Sequence, residues 1–173
     1  MNAQFAEQLL FWVFAIGVVL SSGAVIALRN AVASAISLVA CFFFLAGLYV
    51  LLWAHTIAVL QILVYAGAIM VLFLFVIMLL SLSDEGPVFS ITPSRIAGAL
   101  GAVSVFGSLA MALRKLPATE LGWANDAGRL AQFGTIKHLG AVLYTQWLFP
   151  FEAVSLLLLV AIVGAVVVAK PRI

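Results

Sequence analysis

Two uncharged polar side chains stand inside one of the most apolar stretches of the chain. Gln61 and Tyr65 lie four residues apart in the run QILVYAGAIMVLFLFVIM, residues 61–78, and Gly67 follows two positions later. At helical spacing i and i+4 share a face, and Ala58 and Ala68 extend that face with small residues. A carboxamide and a phenol neither release nor take up protons near neutral pH, so what they offer is hydrogen bonding. One reading makes them the glue between packed membrane helices, where close approach and interhelical hydrogen bonds replace the missing hydrophobic drive. The other places them beside a hydrated cavity or proton path, where they hold water without carrying the proton themselves. Gly67 costs about 1 kcal/mol relative to Ala in an ordinary helix interior. It serves either close backbone packing or a local departure from α geometry such as a π-bulge, a feature common at functional sites.

The remaining chemistry is sparse. Glu152 is the only acid inside an apolar span, and intramembrane acids are functional candidates by default. It is read, however, as the second residue of the last helix, directly after Pro150 and Phe151, where the helix dipole favours a carboxylate and the interface is wet. Asp84 and Glu85 precede Gly86 and Pro87 and read as a solvated turn. His55 and His138 read as solvated residues and make no metal site by themselves. The single cysteine, Cys41, excludes disulfides, CxxC redox chemistry and thiolate clusters within the chain. No glycine-rich phosphate loop, haem-type histidine pair or Ser/His/Asp set is present, so hydride or electron transfer has no residues here to perform it.

The elements that must position these residues follow from composition. Of 173 residues 66% are hydrophobic and 8% charged, with a mean hydropathy of +1.31, against about 45 to 50% apolar and 25% charged in soluble domains. The net charge of +2 is small and scattered, which argues against nucleic acid as a partner. A spanning helix needs about 20 mainly apolar residues, and five segments qualify: 9–28, 33–53, 57–82, 96–113 and 151–169. The expected fold is an all-α integral membrane protein, one membrane domain over residues 1–173, with five transmembrane helices. The first is read as a retained helix and not a signal peptide, because Glu7 replaces the usual basic residue and the apolar run is long. Lys and Arg close to helix ends favour the N-terminus outside and the C-terminus inside, with Arg29, Arg95, Lys170 and Arg172 on the inner side. Leu130, Phe133, Ile136, His138, Leu139, Val142, Leu143 and Trp147 mix with Gln132 and Lys137 at roughly helical spacing, predicting an amphipathic helix in the long loop before helix five. The third segment, 26 residues long, exceeds the hydrocarbon core and must tilt, protrude or leave regular geometry.

The run from Ala58 to Leu80, AVLQILVYAGAIMVLFLFVIMLL, resembles the third helix of subunit J of respiratory complex I, the proton-pumping NADH:quinone oxidoreductase, known in mitochondria as chain 6. Leu28, Arg29 and Asn30 with Ser34 are similar to that family's short first loop. Residues 143–169, LYTQWLFPFEAVSLLLLVAIVGAVVVA, resemble the start and body of its last helix. The resemblance implies a membrane-arm subunit near the quinone-reducing end, beside subunits K, A and H and the antiporter-like subunits, in a bacterial inner membrane. It implies no redox centre in this chain, with FMN, iron–sulfur clusters and quinone held by partners. It also implies a π-bulge around Tyr65 to Gly67 whose conversion to α-helix opens and closes the link between quinone reduction and the proton channels. Gln61, Tyr65, Gly67 and Met70 are then the coupling and water-path candidates, and Asp84 and Glu85 the loop contacts toward the quinone site. Two positions depart from the family pattern. Ala31 stands where a proline often follows the asparagine. No glutamate occupies the His55 or Gln61 position, so direct proton carriage by this chain is not expected.

Related modules occur in multisubunit cation/proton antiporters and membrane-bound hydrogenases, which form the alternative reading. A free-standing small transporter fits less well, because the chain has neither repeat symmetry nor paired charges at the bilayer midplane. Five helices with so few polar groups do not enclose a pathway alone, so an obligate partner is expected.

Overall fold

Asn30 starts the first tight connection. Its side chain accepts hydrogen bonds from the backbone N–H groups of Val32 (2.9 Å) and Ala33 (3.2 Å), capping the second helix at its N-terminus. Ala31 is then the first helical residue, the position where proline's fixed φ and missing N–H do no harm. The computed structural model describes residues 3–80, 93–115 and 133–170, and among these every regular element is helical.

In chain order the elements are α1 (Ala3–Ala27), α2 (Ala31–Leu51), α3 (His55–Leu60), a π-helical segment π1 (Gln61–Ile69), α4 (Met70–Leu79), α5 (Pro93–Lys115), α6 (Ile136–Thr145) and α7 (Leu148–Ala169). α3, π1 and α4 run on without a break and together form helix three. Among the described residues four helices are long and apolar enough to cross a membrane: Phe5–Ala27, Ala31–Leu51, His55–Leu79 and Leu148–Ala169. The fourth expected span, 96–113, lies within α5, whose described apolar stretch is Leu100–Ala112. The amphipathic helix expected in the long loop corresponds to α6, the most one-sided of the described membrane-length and amphipathic helices, while α7 is mainly apolar with no polar face.

α1 and α2 pack antiparallel through a reciprocal pair of rings on glycines. A Cβ added at Gly17 would stand 2.8 Å from the Phe44 ring, and one at Gly47 would stand 2.6 Å from the Phe14 ring. Each phenyl therefore lies flat against bare backbone, the close approach that small residues permit between membrane helices. The same seam carries two hydrogen bonds from α2 to carbonyls of α1: Ser34 Oγ to Val25 O (2.6 Å) and Cys41 Sγ to Val18 O (3.8 Å). Ser21 and Ser37 turn their hydroxyls back onto carbonyls one turn earlier. In lipid such internal partners are the only ones available.

Helix three packs along α2, with Ala58, Gln61 and Met70 buried. Two open apolar grooves flank this bundle. One of about 320 Å³ includes Phe14, Gly47, His55 and Ile62, and one of about 290 Å³ includes Ser34, Leu38, Phe73 and Ile77. The described side chains of α5 and all those of α7 are exposed, so these helices present apolar surface to whatever surrounds the chain. α6 packs on α7, with the Tyr144 and Phe151 rings edge to face at 5.2 Å.

Substituting Gly47→Val should force the Phe14 ring off α2 and cost about 1–3 kcal/mol by overpacking. A lower thermal midpoint and less assembled complex are the expected readouts. An unchanged midpoint would show that the ring-on-glycine contact does not hold the bundle.

Candidate functional site

π1 begins at Gln61 and ends at Ile69, inside the apolar run that drew attention in the sequence. The N–H of Met70, closing it, reaches the Tyr65 carbonyl five residues back, the bond that defines the wide turn. Gly67 lies within this segment. A Cβ there would approach Ile62 O, again five residues back, to 3.2 Å, close enough that the carbonyl would have to yield by a few tenths of an ångström. The glycine thus removes an atom that the wide turn has little room for.

Wide turns also change which residues face α2. From Gln61, an α-helical register would return to the same side near Tyr65 and Ala68. The π register returns about five residues on, at half-buried Ala66, and then at Met70, which is only 4% exposed. Tyr65 is 50% exposed and Ala68 is exposed, while Gln61 is 7% exposed and Ala58 3%. The single small-and-polar face expected for Ala58, Gln61, Tyr65 and Ala68 is therefore divided. Ala58 and Gln61 turn inward, and Tyr65 and Ala68 turn outward. Tyr65 keeps one contact with α2, an edge-to-face pairing with Phe42 at 5.8 Å.

Gln61 is the only buried polar residue among the described residues, and its side chain makes no hydrogen bond to any of them. Its amide atoms are not fully sealed, since no completely buried side-chain N or O is left without a partner. The carboxamide is thus held in an apolar wall with a narrow opening to the space outside the bundle. A water molecule or a polar group of another chain is what such a group can bind.

The other sequence candidates lie apart from this site. Glu152 is the fifth residue of α7, because the helix starts at Leu148 and not at Pro150. Pro150 is accommodated in the first turn, where its missing N–H has no partner to lose. Glu152 is exposed, and it stands beyond the first turn to which the dipole effect is confined. His55 is the exposed first residue of α3, its ring edge-on to Trp53, and His138 is exposed on α6. Asp84 and Glu85 fall outside the described residues. Among the described residues no three His, Cys, Asp or Glu side chains gather into a metal-binding group.

The sequence reading missed one feature, where the segment before α6 meets the turn between α2 and α3. Gly134 O accepts hydrogen bonds from both the backbone N–H (3.0 Å) and the hydroxyl (2.6 Å) of Thr56. The only signal for it was an isolated glycine ahead of a helix, since the partners are 78 residues apart.

A profile of the NADH-ubiquinone/plastoquinone oxidoreductase chain 6 family matches residues 21–168. The chain belongs to this family. It is 42% identical over 153 residues to NADH-quinone oxidoreductase subunit 10 of Thermus thermophilus, covering 88% of this chain and 83% of that one. It is 34% identical over 173 residues to NAD(P)H-quinone oxidoreductase chain 6 of a Synechocystis species, covering 97% and 83%. NADH-ubiquinone oxidoreductase chain 6 of Marchantia polymorpha is likewise 34% identical, over 174 residues, covering 95% and 87%. As a chain 6 family member it is a membrane subunit of an NADH:quinone oxidoreductase complex, and the apolar faces of α5 and α7 belong to a subunit that works inside a larger assembly.

Replacing Gln61 with Leu, of similar size, removes a buried polar group that has no hydrogen-bond partner among the described residues. It should leave the stability of the subunit unchanged or raise it. A drop in thermal midpoint of the assembled complex would show instead that the amide is hydrogen-bonded across a subunit interface.

Proposed function

We propose that this subunit couples quinone reduction, performed by its partners, to proton translocation by a change of register in π1, with no redox centre of its own. The observation that carries the reading is the pairing of π1 with a glycine whose added Cβ would crowd the Ile62 carbonyl and with a buried Gln61 at its start that has no hydrogen-bond partner among the described residues. A π turn holds one residue more than an α turn. Withdrawing that residue rotates the downstream half of the helix by about 100° relative to the upstream half. Such a rotation carries Tyr65 toward the side now occupied by Ala66 and moves Met70 off α2. The hydrogen-bonding surface beside Gln61 changes, and with it the water that this part of the membrane arm can hold.

The fold supports a five-span topology for this role. Thr56, at the start of helix three, and Gly134, in the long loop before helix five, meet at one end of the bundle. Helix three leads the chain about 37 Å away over 25 residues, and α5 is the described helix available to bring it back. With the N-terminus outside, the Thr56–Gly134 contact lies on the outer side and α4 ends on the inner side. Asp84 and Glu85, which follow it in sequence and lie outside the described residues, are the proposed contacts toward the quinone-binding partners. In this reading the neighbours are subunits K, A and H and an antiporter-like subunit in a bacterial inner membrane. FMN, iron–sulfur clusters and quinone lie in other subunits, and NADH is the electron donor, in keeping with the name of the Thermus thermophilus relative.

Two substitutions test the switch. Gly67→Val places branched carbons against the Ile62 carbonyl and should lock π1 in the α register. The complex should assemble, while NADH:quinone turnover and proton uptake fall several-fold. Gly67→Ala needs only a small adjustment and should stay near the parent. Parent-level turnover and pumping in Gly67→Val would remove the switch. Glu152→Gln, in contrast, should change neither rate nor proton yield, and a loss of pumping there would make Glu152 a proton carrier.

A further inference from the structure

Among the described residues, helix three is bolted to another segment by hydrogen bonds at its start and not at its far end. At its start the N-cap residue, Ala54, contributes no side-chain hydrogen bond, although the first-turn N–H groups of a helix need partners from outside it. The cap arrives instead from a distant part of the chain, as Gly134 O receives both Thr56 donors. Gly134 has φ +70, and a Cβ at that position would fall on the Trp53 carbonyl oxygen and lie 2.9 Å from Ala54 Cα, so only glycine fits.

Both partners in this contact are themselves fixed. The turn beneath it is closed by Ala54 N–H to Tyr49 O (2.9 Å) and Trp53 N–H to Val50 O (3.0 Å), the pair of bonds that ends a helix on a left-handed residue. That residue is Trp53, at φ 61, a conformation a bulky side chain rarely adopts. On the other side, Thr135 caps α6 through His138 N (3.3 Å), and α6 packs on α7. At the far end of helix three, the last described bond is local, Leu80 N–H to Val76 O, and no hydrogen bond joins α4 to another segment among the described residues.

We infer that Thr56 and Gly134 are positioning residues for the coupling step, a clasp that holds α3 still so that a register change in π1 turns only α4. This rests on the switch proposed above. Rotation about a helix axis is relative, and a free helix would divide it between its two halves. With α3 clamped to the α2 turn and to α6, the whole rotation goes to Met70–Leu79 and is delivered at the end where the 81–92 segment begins.

Hydrogen exchange of the intact complex, resting and during turnover with NADH and a short-chain quinone, tests this. In the parent, protection should change in Met70–Leu79 and stay constant in His55–Leu60. Thr56→Val keeps the shape and removes the hydroxyl donor. Exchange in His55–Leu60 should rise about fivefold, the factor set by one net hydrogen bond, the turnover-linked change should spread into that segment, and the protons moved per electron should fall. Thr56→Ser, which keeps the hydroxyl, should restore all three. Equal changes in His55–Leu60 and Met70–Leu79 of the parent would overturn the clasp while leaving the switch standing. Parent behaviour in Thr56→Val would do the same. No turnover-linked change in either segment of the parent would overturn the switch and the clasp together.

Discussion

In lipid a polypeptide must pair its own backbone, and the rest of this structure depends on that constraint. Every N–H and C=O in the hydrocarbon region needs an internal partner, which leaves helices or closed barrels, and continuous apolar runs of about 20 residues are helical. The chain can still choose among helical hydrogen-bond patterns. Shifting from i−4 to i−5 bonding keeps the backbone groups paired while changing which side chains face a neighbour. Helix three makes that choice between Gln61 and Ile69, and the result is a run whose two halves present faces that no single α-helical wheel would predict.

The α1–α2 pair gives the π segment a firm surface to lie on. Its rings rest on glycines, and its short polar side chains bond to carbonyls across the seam, so little in it can slide. Against this pair the buried residues of helix three are small or flexible: Ala58, the Gln61 side chain and Met70. Methionine's unbranched, polarizable chain fills irregular gaps, which suits a position whose packing has to survive a change of register. The outward surfaces of α5 and α7 are mainly apolar, as expected of helices that complete their packing against other subunits and lipid.

Several sequence expectations were legible for physical reasons. Apolar runs of about 20 residues mark the membrane helices, and the surplus length of helix three with Gly67 in its middle signals irregular geometry. Others depended on detail that spacing does not carry. The last helix starts three residues before Phe151, because a proline in a first turn costs nothing. That shift moves Glu152 past the first turn, and the dipole argument built on its position loses force. The shared face of Gln61 and Tyr65 assumed α periodicity, and the wide turn separates the two side chains.

The sequence by itself determined that this protein is a helical membrane subunit with few polar groups to spend, since hydropathy and the cost of unpaired backbone in lipid leave no other class. Its motif around Tyr65 and Gly67 determined the family. Only the tertiary structure decided that Gln61 is buried and Tyr65 half-exposed, because burial follows hydrogen-bond register and the surface of α2. Only the tertiary structure brought Gly134 to Thr56, across 78 residues of chain. A contact of that kind is set by where two helices end in space, and neither residue type announces it.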